Sequence, residues 1–144
     1  MTPALPLHHA PEPEIHVGVL LITHHAIGHA LVDAARHVMP RLPLKMDVVE
    51  ISDCSDPART LSATASAARA LDAGAGVLVL SDLYGATPCN VAHKLGHVGV
   101  HARCVSGLNL PMLLRVLNYA DKPLDELAEV AASGGKGGIF IDKA

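Results

Sequence analysis

The stretch HVGVLLITHHAIGHALVDAARHVMP, residues 16–40, sets the reading of the whole chain. Its first seven residues, HVGVLLI, form a continuous apolar run of strand length. A strand without polar alternation is covered on both faces, as in parallel sheets. Ile27, Leu31, Ala34 or Ala35, and Val38 then recur at helical spacing, and Pro40 stops that helix. A buried strand feeding a helix is the unit of an α/β fold.

The unit repeats. LKMDVVEI (44–51), VLVLSDL (77–83) and HARCVSG (101–107) read as three further strands. Between the second and third, Ser55 or Asp56 can cap a helix that has Pro57 at its first position, where a missing N–H costs nothing. That helix runs to Ala73, and Gly74 turns the chain. Thr87 followed by Pro88 gives the same cap-then-proline signal for a helix to about Leu95. Pro111 opens another to about Tyr119, and Leu124–Ala132 is a further one. Gly134–Gly138 reads as a turn and IFI (139–141) as a short last strand. The pattern predicts an open, doubly wound parallel sheet of four strands plus a short antiparallel fifth. Residues 1–14, with Pro3, Pro6, Pro11 and Pro13 and no periodicity, read as a flexible leader, and 15–144 as one domain.

The composition excludes several classes of partner. A formal charge of −3 and 2% aromatic residues argue against nucleic acid, which calls for a basic patch and often stacking rings. The apolar runs 17–22 and 77–80 fall far short of the roughly 20 residues that span a bilayer. The first residues carry no basic segment leading into an apolar one, as a secretory signal would. Three cysteines without framework spacing suit a reducing compartment, so the expected location is the cytoplasm.

In open parallel sheets, ligands bind beyond the carboxyl ends of the strands. The segments there are Thr23-His24-His25, then Ser52-Asp53-Cys54-Ser55-Asp56, then Ser81-Asp82 with Leu83-Tyr84-Gly85-Ala86-Thr87, and finally Ser106-Gly107-Leu108-Asn109. One constellation among them makes chemical sense. Neutral imidazole is a usable nucleophile, because an unperturbed His has a pKa of about 6.5. A carboxylate hydrogen-bonded to one ring nitrogen fixes the tautomer and turns the other nitrogen outward. His24 and Asp82 are that pair. Asp82 is itself anomalous at the end of an apolar strand, since a charge there is costly unless paired or exposed. His24 also lies just before the helix that starts near Ile27, and a helix N-terminus favours a bound anion. Thr87 caps the helix after the third strand, and His25, Gly85 and Asn109 belong to the same edge as binding residues.

At these residues the chain resembles the enzyme IIA domains of the mannose-family, phosphoenolpyruvate-dependent sugar phosphotransferase system. HVGVLLITHHAIGHAL (16–31), GVLVLSDLYGATPCN (76–90), SGLNLPMLLRVL (106–117) and GGKGGIF (134–140) carry the likeness, in order, across about 16–141. The resemblance implies that His24 is phosphorylated, that Asp82 supports it and that the Thr87 hydroxyl lies near the phosphate. It implies a homodimer, in which the last strand can be exchanged between subunits, and the small carrier HPr as phosphoryl donor. The acceptor is an enzyme IIB, in sugar uptake or in a regulatory system, with any membrane contact only indirect, through a permease. No cofactor is expected. Where the family has Gly after its active histidine, this chain has His25.

Other readings use the same residues. A phosphoryl donor subunit of dihydroxyacetone kinase shares the fold and a similar histidine, but Asn109, Pro111, Met112 and Leu113 favour the mannose type. From another class, His25 and His29, four apart, could join His24 and Asp82 or Asp53 as a metal-binding module, and a regulatory module with His24 unphosphorylated is also open. Cys54 and Cys89 lie near the edge, where a small buried hydrophobe is the simpler role for Cys89. GGKGG (134–138) lacks the spacing of a phosphate loop.

Overall fold

The computed structural model describes residues 15–53 and 55–143. The proposed leader (1–14) and Cys54 lie outside the described residues. Strands β1 (Gly18–His24), β2 (Met46–Ile51), β3 (Val77–Ser81) and β4 (Ala102–Ser106) alternate with helices α1 (Ile27–Val38), α2 (Pro57–Leu71) and α3 (Thr87–Lys94). A 3-10 turn over Leu95–Val98 extends α3, and α4 (Leu110–Asn118) and α5 (Leu124–Gly137) follow β4. All strand pairs are parallel, in the order β2-β1-β3-β4. The expected α/β architecture is therefore present.

Two apolar layers sandwich the sheet. Val19 and Leu21 of β1, with Leu78 and Leu80 of β3, pack against α1, α4 and α5 through Val32, Ala35, Leu113, Val116 and Leu127. The alternate residues Leu20, Ile22, Val77 and Val79 pack against α2 and α3 through Ala65, Ala68, Val91 and Ala92. Burial on both faces explains why the two central strands are apolar throughout, and why period-2 alternation is invisible in them. The alanines let α2 and α3 lie close to the sheet.

Two helix starts follow the sequence closely. The Asp56 side chain accepts the Arg59 N–H at 3.1 Å with Pro57 in the first turn, and Asn109 Oδ1 accepts the Met112 N–H at 2.9 Å ahead of α4. At α3 the outcome differs. The cap position is Ala86, without a side-chain cap bond, and Thr87 is already the first helical residue.

The C-terminal expectation also changes. Gly134 and Gly135 do not form a turn but continue α5, because they are buried against α4. A Cβ on Gly134 would lie 2.5 Å from Arg115 Cβ, and one on Gly135 would lie 2.8 Å from Met112 Cε. Close approach of the two helices outweighs the poor helix propensity of glycine, about 1 kcal/mol each. Residues 139–141 form no strand in the single chain. Ile139, Phe140 and Ile141 stand exposed, and the outer edge of β4 is unpaired among the described strands.

This packing separates two glycines three residues apart. Gly134→Ala should destabilise the protein by about 1–3 kcal/mol through overpacking. Gly137→Ala, whose Cβ would meet nothing within 4 Å, should be neutral or stabilising by about 0.5 kcal/mol. Urea unfolding followed by circular dichroism measures both.

Candidate functional site

The strand order fixes where a site can form. From β1 the chain crosses to β2 on one side, and from β3 it crosses to β4 on the other, so a crevice opens between the carboxyl ends of β1 and β3. The register aligns Ile22 with Ser81. His24, two residues beyond Ile22, and Asp82, one beyond Ser81, therefore meet at the mouth of this crevice.

They meet closely. Asp82 Oδ2 accepts the backbone N–H of His24 at 3.0 Å and lies 2.7 Å from His24 Nδ1. The carboxylate is 9% exposed and the imidazole 46%. Burial pushes the Asp82 pKa up, but the backbone N–H, the ring N–H and the charge of His24 together outweigh it and hold the carboxyl below its ordinary value. Asp82 is thus ionised near neutral pH and cannot donate. Nδ1 must carry the shared proton, and the lone pair of the neutral ring is left on Nε2. Asp82 Oδ1 is buried and has no partner among the described residues.

Strand alternation sorts the neighbours of His24. His24 falls on the face of Ile22, which is packed by α3, and Thr23 falls on the α1 face. Thr23 is completely buried. Its hydroxyl donates to the His24 carbonyl at 2.8 Å and accepts the Gly28 N–H at 2.9 Å, tying the strand end to the first turn of α1. A Cβ on Gly28 would fall 2.5 Å from Val48 Cγ1 and 2.9 Å from Thr23 Oγ1, so only glycine fits this contact. The left-handed residue in the turn is Ala26, with φ 69°, and not His25. Position 25 therefore makes no conformational demand for glycine, and a histidine is accommodated there.

The helix N-terminus beside His24 in sequence is already occupied. Glu50, near the end of β2, accepts the His29 N–H at 3.1 Å and lies 3.0 Å from His29 Nδ1. Its other oxygen is 3.9 Å from His25 Nδ1. The His29 N–H is the main cause that holds the Glu50 carboxyl below its ordinary value; burial opposes it, and the His29 ring and the Ala26 N–H add to it. The expectation that α1 would receive an anion is thereby corrected, since a carboxylate of the chain itself sits there. On the His24 face both α2 and α3 begin at this edge; the start of α2 is capped by Asp56, whereas that of α3 has no side-chain cap bond. His25 and His29, both exposed, converge on Glu50, and no group of three His, Cys, Asp or Glu side chains has metal-binding geometry among the described residues.

The remaining candidates fall into three groups. Thr87 is exposed in the first turn of α3, where it makes no cap bond. Gly85, with φ 81°, turns the exposed loop between Asp82 and α3. Asn109 is engaged within the fold: besides its cap bond, Nδ2 donates to the Gly135 carbonyl at 3.1 Å and ties α4 to α5. Behind the crevice, Ser81 Oγ and Ser106 Oγ are 2.7 Å apart, and Cys89 Sγ lies 3.4 Å from Ser106 Oγ and 3.6 Å from His93 Nε2. Cys89 is fully buried. Burial, then the neighbouring Cys89, push the Cys104 thiol up to about 11, which leaves it protonated and poorly nucleophilic.

Sequence reasoning missed Thr23 and Glu50 as site residues. Glu50 carried the same signal as Asp82, a carboxylate at the end of an apolar strand.

A parallel sheet with a histidine–carboxylate pair at its switch point defines a class of α/β domains that do chemistry at the strand ends, and the comparisons narrow it to a family. The family model "PTS system fructose IIA component", EIIA-man, matches residues 18–132, and the chain belongs to this IIA family of the phosphotransferase system. The "PTS system mannose-specific EIIAB component" of Escherichia coli strain K12 is 36% identical over 76 residues, which cover 51% of this chain and 24% of that protein. The match thus spans about a quarter of the length of that curated relative. The mannose/sorbose-specific IIA subunit from Enterococcus faecalis superposes with TM-score 0.78 at 25% identity, covering 89% of this chain and 96% of that one. The EIIA component from Streptococcus agalactiae has the same fold, with TM-score 0.74 at 19% identity over 87% of this chain and 96% of that one.

The depressed Asp82 pKa has a sign that can be tested. The group contributes stability that is present above the ordinary value of 3.8 and is lost as pH falls through the lower folded-state value. Asp82→Asn should therefore flatten the acid limb of the stability profile below about pH 4, as read by urea midpoints across pH 2–6. An unchanged acid limb would mean that the His24 contact does not persist in solution.

Proposed function

We propose that the chain is a cytoplasmic phosphocarrier that takes a phosphoryl group from phosphorylated HPr onto His24 Nε2. It then passes the group to an enzyme IIB, in sugar uptake or in a regulatory phosphotransferase system. The observation that carries this reading is the 2.7 Å pairing of His24 Nδ1 with a buried, ionised Asp82, which leaves Nε2 as the nucleophilic nitrogen.

The step balances without a cofactor. Nε2 attacks phosphorus, the P–N bond to the donor imidazole breaks, and that imidazole leaves neutral with the proton on its other nitrogen. The proton stays on His24 Nδ1, hydrogen-bonded to Asp82, whose negative charge offsets the imidazolium formed. In phosphoryl transfer the protein contributes chiefly positioning and charge stabilisation. The Thr87 hydroxyl and the free amides of the first turn of α3 supply donors for the phosphate oxygens. Gly85 keeps that approach open, His25 stays on the α1 side of the crevice, and Asn109 holds the neighbouring wall.

Two features that lack partners among the described residues support a homodimer: the outer edge of β4 and the exposed Ile139, Phe140 and Ile141. An antiparallel strand from a second copy would pair the edge and bury those side chains, and unprotected edges and apolar tails are rarely left open. Removal of residues 139–144 should convert the dimer to monomer in sedimentation equilibrium, and a truncated protein that stays dimeric would refute the exchange.

Substitution distinguishes the imidazoles. His24→Ala should abolish acid-labile labelling by phospho-HPr, whereas His25→Ala should keep it. Asp82→Asn should slow transfer by about 10–100-fold while leaving the fold intact, through loss of tautomer control. Label retained in His24→Ala and lost in His25→Ala would reverse the assignment.

A further inference from the structure

Two carboxylates at this edge hold histidines in the same way. Asp82 Oδ2 takes both the backbone N–H and the ring Nδ1 of His24. Glu50 Oε2 takes both the backbone N–H and the ring Nδ1 of His29, at 3.1 and 3.0 Å. His29 lies in the first turn of α1, so the second clamp fixes the start of the helix that immediately follows the His24 turn.

That turn needs fixing. Between His24 at the end of β1 and Ile27 at the start of α1 stands Ala26 in the left-handed conformation, φ 69°. An L-residue with a Cβ is held there at a cost of about 1–2 kcal/mol, so the turn relaxes if its ends are released. Thr23 secures the near end by bridging the His24 carbonyl and the Gly28 N–H. Glu50 secures the far end from β2, where the register sets Glu50 beside Thr23. Its carboxylate is 14% exposed, and it reaches the helix by the length of its side chain.

We propose that Glu50 is a positioning residue for phosphoryl transfer at His24, acting by clamping the start of α1 and so holding the strained 24–26 turn in place. Glu50 does not touch the reacting atoms; it acts through the backbone. The proposal rests on the phosphocarrier reading. Small displacements of a reacting group can cost up to about a hundredfold in rate, so losing one of two anchors should cost about tenfold.

The test separates reach from charge. Single-turnover phosphorylation of His24 by phospho-HPr is measured for the full chain and for Glu50→Gln, Glu50→Asp and Glu50→Ala, well below each variant's unfolding midpoint. Glu50→Gln keeps an acceptor oxygen at the same reach and should stay within about threefold of wild type. Glu50→Asp keeps the charge but is one methylene shorter, and with Glu50→Ala it should lose about tenfold in the maximal rate, with the half-saturating phospho-HPr concentration within about twofold. Rates for Glu50→Asp and Glu50→Ala near wild type would overturn the proposal. A tenfold loss in Glu50→Gln would also overturn it, even if the other variants failed to fold, because charge would then be the operative property. A defect confined to half-saturation would do the same by making Glu50 a docking residue. Wild-type protein that takes no label defeats the phosphocarrier reading itself, whereas labelled wild type with indifferent variants defeats only the role of Glu50.

Discussion

One oxygen atom organises the crevice. Asp82 Oδ2 receives two N–H groups from a single residue, one from the backbone and one from the ring, so the His24 side chain cannot rotate without losing a bond at the point where its backbone is also held. The carboxylate can serve both because it is charged, and charge-assisted bonds of this kind are about twice as strong as neutral ones. It can be placed there because β1 and β3 are adjacent, parallel and in a register that brings their ends level. The apolar central strands are thus the support for the polar pair at their tips.

Much of this was legible in the residues. Buried strands, helix starts at Pro57 and Pro111, and the cluster of polar groups at strand ends all follow from local pattern, because proline position and continuous apolar runs have few structural meanings. Asp82 stood out as a charge with an apolar approach. The illegible parts depend on partners distant in sequence. Gly134 and Gly135 look like a turn until Arg115 and Met112 are seen packed against them. Thr87 looks like a cap, yet the helix begins one residue earlier than its hydroxyl would specify. The IFI segment has strand composition, but a strand exists only when it pairs with an edge, and among the described residues this segment pairs with none.

The two histidines in sequence at 24 and 25 show how little adjacency means at a strand end. Alternation gives His24 to the α3 face and Thr23 to the α1 face, while the turn that follows carries His25 towards Glu50. A carboxylate at the start of α1 makes that end unfavourable to a further anion. Among the described residues, the start of α3 has no side-chain cap bond and no acidic residue in its first turn. The asymmetry between two helix N-termini, set by one acidic side chain, gives the crevice a direction.

The near absence of aromatic side chains has a practical side. The chain has no tryptophan and two tyrosines, and one of these, Tyr84, is 77% exposed two residues beyond Asp82. Its ring meets His93 edge-on at 6.2 Å. Ultraviolet emission from this protein therefore comes from Tyr84, in the loop that follows Asp82, and from Tyr119 at the end of α4, so one of the two intrinsic optical reporters of an unlabelled chain stands beside the crevice.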